Sequence, residues 1–454
     1  MHPHLSYLLR ELRRKKRQYT TTHAIDYTQH DMQAHTDGNR TRRSLWRHPD
    51  FLRLWTGETI SLFGTQVTVL ALPTLAILTF HADPFSVGVL VSLQWLPFLF
   101  LGPLAGVIVD RLPRRQIMIV ADLGRLVALG SLPVAFALGM RTMVHLYIIA
   151  AVVSSFTVFF DVSYQSYLPV LVNRTALAEG NAKLTLGKGA AQIGGPALGG
   201  LLMQWVGAAT AITANACSYL ASALFLVSIR EWEPEPAPSP QGRIRGVFAE
   251  MREGIEMVFH HPLLRTIALV NTVQNFGTSV AEAVVLIFAY RSLHLSPGLV
   301  GTAMAVGSVG FVLGALVTSP VTRKLGVGPT LGISSMVGAL SYLVIPLGLF
   351  GMPALVVALW RLLFGLHIPT YDINQVSLRQ AITPDRLHGR MNATIRTISY
   401  GALGVGPLVG GFLGTQLGLV PTIVLGGIIY VVATLLILTK SMISLKEHLA
   451  PAAP

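Results

Sequence analysis

The chain has 454 residues, 52% of them hydrophobic and only 12% charged, and its formal net charge is +13. A water-soluble chain of ordinary composition carries about a quarter charged residues, so a soluble globular protein is excluded. A single cysteine, Cys217, excludes a disulfide framework within the chain.

The apolar excess comes in blocks of twenty or more residues, long enough to cross a hydrocarbon core of about 30 Å as helices. Residues 1–47 precede the first block; they are polar, with "RRKKR" at 13–17 and no apolar run. They make no signal peptide, and a disordered, basic cytoplasmic tail touching anionic lipid is expected. Twelve blocks follow, near 51–80, 86–109, 117–139, 143–165, 182–205, 208–230, 263–290, 297–319, 329–350, 353–374, 394–416 and 419–440. Helices are required because unpaired backbone groups cannot face lipid, and barrel strands would alternate at short spacing. The expected fold is therefore all-α and membrane-integral, with twelve transmembrane helices.

Residues 231–262 separate the sixth and seventh blocks. They open with "EPEPAPSP", which cannot continue a helix. Ile244, Val247, Phe248, Met251, Ile255, Val258 and Phe259 then recur at helical spacing, which predicts an amphipathic cytoplasmic helix against the membrane or the bundle. Residues 441–454 form a second cytoplasmic tail.

Lys and Arg set the orientation. With both termini inside, the inner segments hold Arg111, Arg114, Arg115, Arg174, Lys183, Arg243, Arg245, Arg252, Arg323, Lys324, Arg379, Arg386 and Arg390, and the outer loops only Arg141 and Arg291. This positive-inside asymmetry puts both termini in the cytoplasm of a cell (inner) membrane protein. It also accounts for most of the net charge without nucleic acid.

The two halves of the chain repeat each other. "IGGPALGG" at 193–200 returns as "VGPLVGG" at 405–411, with Pro196 and Pro407, and Gly199 and Gly410, each 211 residues apart. "HP" at 48–49 returns at 261–262, "FGT" at 63–65 returns at 276–278, and Gly102 matches Gly314. Asp161 matches Asp372, and Gly207 matches Gly418. Residues 48–230 and 263–440 are thus two six-helix bundles in parallel repeat, and substrate sites in such proteins lie at the repeat interface near the midplane.

Between the second and third blocks runs Gly106-Val-Ile-Val-Asp110-Arg111-Leu-Pro113-Arg114-Arg115. This resembles the cytoplasmic signature of the major facilitator superfamily, Gly-x-x-x-Asp-Arg-x-Gly-Arg-Arg, with Pro113 at the usual glycine. Twelve blocks, the 6+6 repeat and the Gly-Pro-x-x-Gly-Gly element agree with it. "FLRLWTGETISLFGTQVTVLALP" and "GGPALGG" look like the drug/proton antiporter branch that contains macrolide efflux and enterobactin exporter proteins. The resemblance implies that Gly106, Asp110, Arg111, Arg114 and Arg115 form a gating loop. Its carboxylate would bond across the domain interface near the start of helix 11 and latch the outward-facing state. Asp161 is a candidate partner for an arginine of this loop. In the second half Thr322 stands where Asp110 would, so the switch chemistry is expected in the first half; topology alone is the alternative reading of the basic loop.

The packing element, Gly195, Pro196, Gly199 and Gly200 with Gly406, Pro407, Gly410 and Gly411, lets helices approach closely and bend. The resemblance associates it with antiport; a packing motif alone is the alternative. Cavity candidates are Gln94, Trp95, Gln192, Asn215, Asn271, Gln274 and Asn275, whose semi-polar character among apolar walls suits amphipathic organic ligands. Coupling or cavity candidates are Glu58, Glu282, Arg361 and Asp372. Glu58 lies about 10 Å into the first helix, where an ionisable group is costly and usually functional; the resemblance, whose members often carry an amide here, leaves a structural hydrogen bond as the alternative. Glu282 and Arg361 both lie about 12 Å below the same surface, which predicts a cavity-facing ion pair or water-bridged pair; a purely structural pair is the alternative.

"LGKG" at 186–189 lacks the remaining residues of a phosphate loop, and no catalytic or metal-ligand motif occurs, so an enzyme, a cofactor and a metal are not expected. The leading expectation is a secondary transporter that exports drug-like or siderophore-like amphiphiles by proton antiport and alternating access. Its expected partners are a small-molecule substrate, protons and the lipid bilayer, with no nucleic acid, and it is expected to act as a monomer. Nutrient uptake by symport and a non-transporting membrane sensor are the alternatives; whether expression lowers or raises cellular substrate separates export from uptake.

Overall fold

The computed structural model describes residues 44–231, 233, 244–384 and 387–437, apart from the side chains of Arg174 and residues 244–251. The basic tail, most of "EPEPAPSP", the side chains of Ile244, Val247, Phe248 and Met251, Arg386 and the C-terminal tail lie outside the described residues. The described residues from Asp50 onward make one compact unit, and those before it include a 3-10 turn, Leu45–Arg47.

The described residues are helical and contain no strand. The first half comprises α1 (Pro49–Leu78), α2 (Pro84–Val109), α3 (Arg114–Ala137), α4 (Met143–Leu171), α5 (Leu177–Val206) and α6 (Ala208–Ser228). The linker helix is α7 (Ile244–His260). The second half comprises α8 (Pro262–Ile287), α9 (Pro297–Leu325), α10 (Val327–Val344), α11 (Pro353–Ile382), α12 (His388–Gln416) and α13 (Leu419–Ile437). Eleven of these helices are long and apolar enough to span a membrane. The twelfth long helix of the halves, α5, falls short in composition: its first turns carry Glu179, Lys183 and Lys188, and its remainder is diluted by glycines and by Gln192, Pro196 and Gln204.

Local chemistry explains the boundaries. Pro84, Pro262, Pro297 and Pro353 open their helices, where the missing N–H costs nothing. Asp83 caps α2 by accepting from the Ser86 backbone N–H at 2.6 Å. Gly207, the single-residue link from α5 to α6, and Gly418, in the two-residue link from α12 to α13, hold φ of +82° and +91°, a region that glycine enters without steric cost. They are repeat partners, so this turn is inherited twice.

Packing shows the pseudo-symmetry directly. In the first half α2 packs on α4, α4 on α3 and α3 on α6; in the second α9 packs on α11, α11 on α10 and α10 on α13. Between halves α2 meets α12, and the equivalent pair α5 and α9 meets likewise. The linker helix lies against the bundle, on α12 and α8, with Val258 in an apolar cluster with Leu264, Ala268, Met391 and Ile395. Ile255 and Phe259 remain exposed. Gly254 lets the helix seat on the Arg390 carbonyl, and Glu253 pairs with Arg390.

Candidate functional site

The halves enclose a cavity of about 840 Å³. The first half contributes Gln66, Gln94, Trp95, Phe98, Gln192 and Tyr219 among its walls, and the second contributes Glu282, Ser308, Phe311, Trp360, Arg361 and Phe364. Mostly apolar walls with a few convergent polar groups are the usual make-up of an organic ligand site. Glu282 and Arg361 meet there, Arg361 Nη1 lying 3.4 Å from Glu282 Oε1. The guanidinium also lies 4.5 Å from the centre of the Trp360 ring.

One end of this cavity is sealed by glycines. A Cβ on Gly200 would lie 2.6 Å from the Pro297 carbonyl oxygen and 2.7 Å from Gly301 Cα, across the α5–α9 contact. A Cβ on Gly411 would lie 2.6 Å from the Pro84 carbonyl oxygen and 3.1 Å from Gly88 Cα, across α12–α2. The other motif glycines stay within their own half: Gly195 and Gly199 face Gln66 and Val67 of α1, and Gly406 and Gly410 face Ser279 and Val280 of α8. Each Gly-Pro-x-x-Gly-Gly element therefore seats its helix on the first helix of its own half and turns its last glycine to the other half. Polar bonds reinforce the seal. Tyr290 and Thr74 hydroxyls lie 2.9 Å apart, and Arg291 donates to the Ala82 carbonyl at 2.8 Å. Phe85 N–H donates to Thr415 Oγ1 at 3.2 Å. Tyr290 and Arg291 belong to a π-helical turn, Phe288–Ser292, that ends α8.

Away from the seal the halves part. Along α2 and α12, Leu99 still lies 3.9 Å from a Cβ on Gly401, whereas a Cβ on Gly102 or Gly106 would meet nothing within 4 Å. The cavity thus opens toward the side that carries Asp110 and the basic loop. Asp110 and Arg111 are exposed there. Arg114 and Arg115 are held instead by the start of the linker: their backbone N–H groups donate to the Glu233 carboxylate at 2.9 and 3.0 Å. The Arg115 guanidinium donates to the Leu226 and Val227 carbonyls at 2.9 and 2.6 Å. Asp50 does the same service for α1, accepting from the Arg230 and Glu231 backbone N–H groups at 3.2 and 2.9 Å. Two carboxylates thus clasp the chain as it leaves α6.

The expected pairing of Asp161 with a loop arginine is corrected. Arg114 and Arg115 are committed to Glu233 and α6, while Asp161 lies deeper on α4, within reach of the charges of Arg125, Lys188 and Arg396. It belongs to a cluster inside the first half. Asp122 and Arg125 of α3 form a buried ion pair, and the guanidinium lies between the Phe160 and Tyr219 rings at 4.2 and 4.3 Å. Glu58 of α1 is buried beside them, within reach of Asp161, Arg125, Asp122 and Lys188, and its Oε2 has no hydrogen-bond partner. The buried groups of this cluster are two carboxyls and one guanidinium, so one carboxyl has no buried counter-ion. Sequence reasoning singled out Glu58 and Asp161 but missed Asp122 and Arg125. Two ionisable residues three apart inside an apolar block were the available signal.

The cavity candidates divide. Gln94, Trp95 and Gln192 line it; Asn215, Asn271, Gln274 and Asn275 are not among its lining residues. Asn215 is buried, bonding Thr68 Oγ1 at 2.6 Å and Ser218, and Asn271 bonds Gln375 and the Tyr371 hydroxyl at 3.1 and 2.7 Å. Gln274 is buried too. Amides inside an apolar bundle bond across helices rather than face the ligand space. Asp372 is exposed on α11, with Gln375 Nε2 at 3.4 Å. Thr322, in the place of a second-half Asp110, donates to Asn374 Oδ1 at 3.0 Å.

Comparison with known proteins agrees with this architecture. The family model described as transmembrane secretion effector matches residues 43–453. The MFS-type transporter YfiS of Bacillus subtilis (strain 168) is 26% identical over 408 residues, covering 88% of this chain and 95% of YfiS. The multidrug efflux pump Tap of Mycobacterium tuberculosis (strain ATCC 25618 / H37Rv) is 28% identical over 391 residues, covering 82% of this chain and 88% of Tap. In fold, the chain is similar to a bacterial homologue of the iron transporter ferroportin in an inward-facing state, with a TM-score of 0.71 at 16% identity over 87% of this chain and 99% of the other. Two six-helix halves around a shared cavity, the repeated glycine element and the family match make this chain a major facilitator superfamily transporter of the transmembrane secretion effector family.

Proposed function

We propose that this chain exports amphipathic small molecules from the cytoplasm by proton antiport, alternating the access of its central cavity across the cell membrane. The observation that carries this reading is a large, mostly apolar cavity together with a buried acid, Glu58, seven residues along α1 from the lining residue Thr65, that has no buried counter-ion of its own. The multidrug pump Tap among its relatives supports the direction and the substrate class. On this reading the basic side is cytoplasmic, and the structure stands open to the cytoplasm.

Glu58 acts as the proton carrier. A buried charge lacking full hydrogen bonding is costly, and taking up a proton removes it. Loss of that proton restores a charge that Arg125 attracts, which couples α1 to α3 within the first half. Glu58→Gln mimics the protonated form. In proteoliposomes with an imposed pH gradient, this variant should bind ethidium within twofold of the parent and lose at least tenfold in gradient-driven transport. Undiminished pH-driven transport by Glu58→Gln removes Glu58 from the mechanism; absence of proton movement on substrate addition to the parent removes antiport.

A further inference from the structure

We infer that the cavity recognises zwitterions, molecules carrying a cationic and an anionic group on an apolar frame, by opening the Glu282–Arg361 pair and re-pairing both charges with the ligand. This rests on the exporter reading above and names the chemistry of its substrate.

Among the described residues, Glu282 and Arg361 are the charged ones that line the cavity. They come from α8 and α11 and touch through a single contact of 3.4 Å, not the two parallel bonds a guanidinium can make to a carboxylate. Their side chains keep 39% and 22% of their surface exposed. Arg361 Nε, on the inner side of the fork, has no partner. The pair is therefore reachable from the cavity, unlike the buried Asp122–Arg125 pair in the other half.

Charge balance selects the ligand. A cation that takes Glu282 leaves the Arg361 guanidinium alone between apolar walls, and an anion that takes Arg361 strands Glu282 in the same way. Removing one partner of a poorly solvated pair is the costly event; exchanging both partners is not. A zwitterion exchanges both, and the cavity stays neutral throughout. Trp360 behind the guanidinium and Trp95, Phe98 and Phe364 on the remaining walls accept the apolar frame.

The experiment is equilibrium binding by fluorescence anisotropy, with the full chain in lipid nanodiscs and no gradient. Three dyes serve as probes: rhodamine B, a zwitterion at neutral pH; its ethyl ester, a monocation; and fluorescein, an anion. Rhodamine B should bind at least tenfold tighter than either. Glu282→Gln should erase that preference and raise fluorescein affinity about tenfold, and Arg361→Gln should do the same for the ester. The double variant Glu282→Gln/Arg361→Gln, which leaves no stranded charge, should bind rhodamine B and its ester within twofold of each other. An ester that binds the parent as tightly as rhodamine B, or single variants that leave the order unchanged, overturns the inference while the exporter reading stands. If none of the three dyes binds the parent, both readings fall together.

Discussion

Leucine in place of Gly200 should abolish transport and hold the cavity open on the side now sealed. The neighbours of the added carbon are the Pro297 carbonyl oxygen and Gly301 Cα, at 2.6 and 2.7 Å, and both are backbone. No rotamer change relieves such a contact, so α5 and α9 have to separate. Only the sealed arrangement needs that approach, and a conformational equilibrium shifts by the difference in free energy between its two states. Because the α2–α12 seam at Gly88 and Gly411 closes together with α5–α9, one wedge opens both. The readout is accessibility. Val69 lines the cavity and is exposed, so Val69→Cys in a Cys217→Ser background reports which side reaches it. An impermeant maleimide applied outside intact cells should label Val69→Cys many-fold faster with Gly200→Leu than without. Normal transport with parent-like labelling would show that the glycine seam does not control closure.

The glycine elements also show how far sequence alone reaches. Their spacing announced a repeat and close helix packing. The division of labour did not follow from spacing: Gly195 and Gly199 serve α1, whereas Gly200, one residue on, crosses to the other half. That division depends on which flank of α5 faces α9, a tertiary property. Glu282 and Arg361 were legible because depth along two helices can be counted from their ends. Asn215 and Asn271 were misplaced for a related reason: a polar residue in an apolar block can face the cavity or a neighbouring helix, and composition does not tell these apart. The two carboxylate clasps were hidden by distance along the chain, since Asp50 and Glu233 look like ordinary surface acids until residues 230–231 and 114–115 are seen against them. Asp110 is the converse case. Its expected cross-domain bond belongs to the outward-facing state, and here the helices that would make it stand apart around Gly102 and Gly106.

Arg125→Met should cost the protein about 3–5 kcal/mol of stability, the range for removing one partner of a buried ion pair. Asp122 is fully buried and Arg125 is 3% exposed, so neither water nor a mobile lysine can replace the lost guanidinium. The flat faces of Phe160 and Tyr219 on either side of it are shaped for a planar cation, and methionine fills that slot without supplying charge. Asp122 and Glu58 would then share a buried volume with no positive group inside it. Adding Asp122→Asn should return most of the lost stability, because an amide leaves no uncompensated charge. Transport should not return with it: the double variant lacks the buried guanidinium that attracts the Glu58 carboxylate when it gives up its proton, and only the exposed Lys188 remains within reach. Melting temperature in detergent and pH-driven dye transport, measured on the same preparations, separate the two effects. If the double variant regains both, Arg125 is a structural counter-ion for Asp122 and has no part in coupling. If it regains stability alone, the guanidinium is the fixed charge against which Glu58 loads and releases its proton.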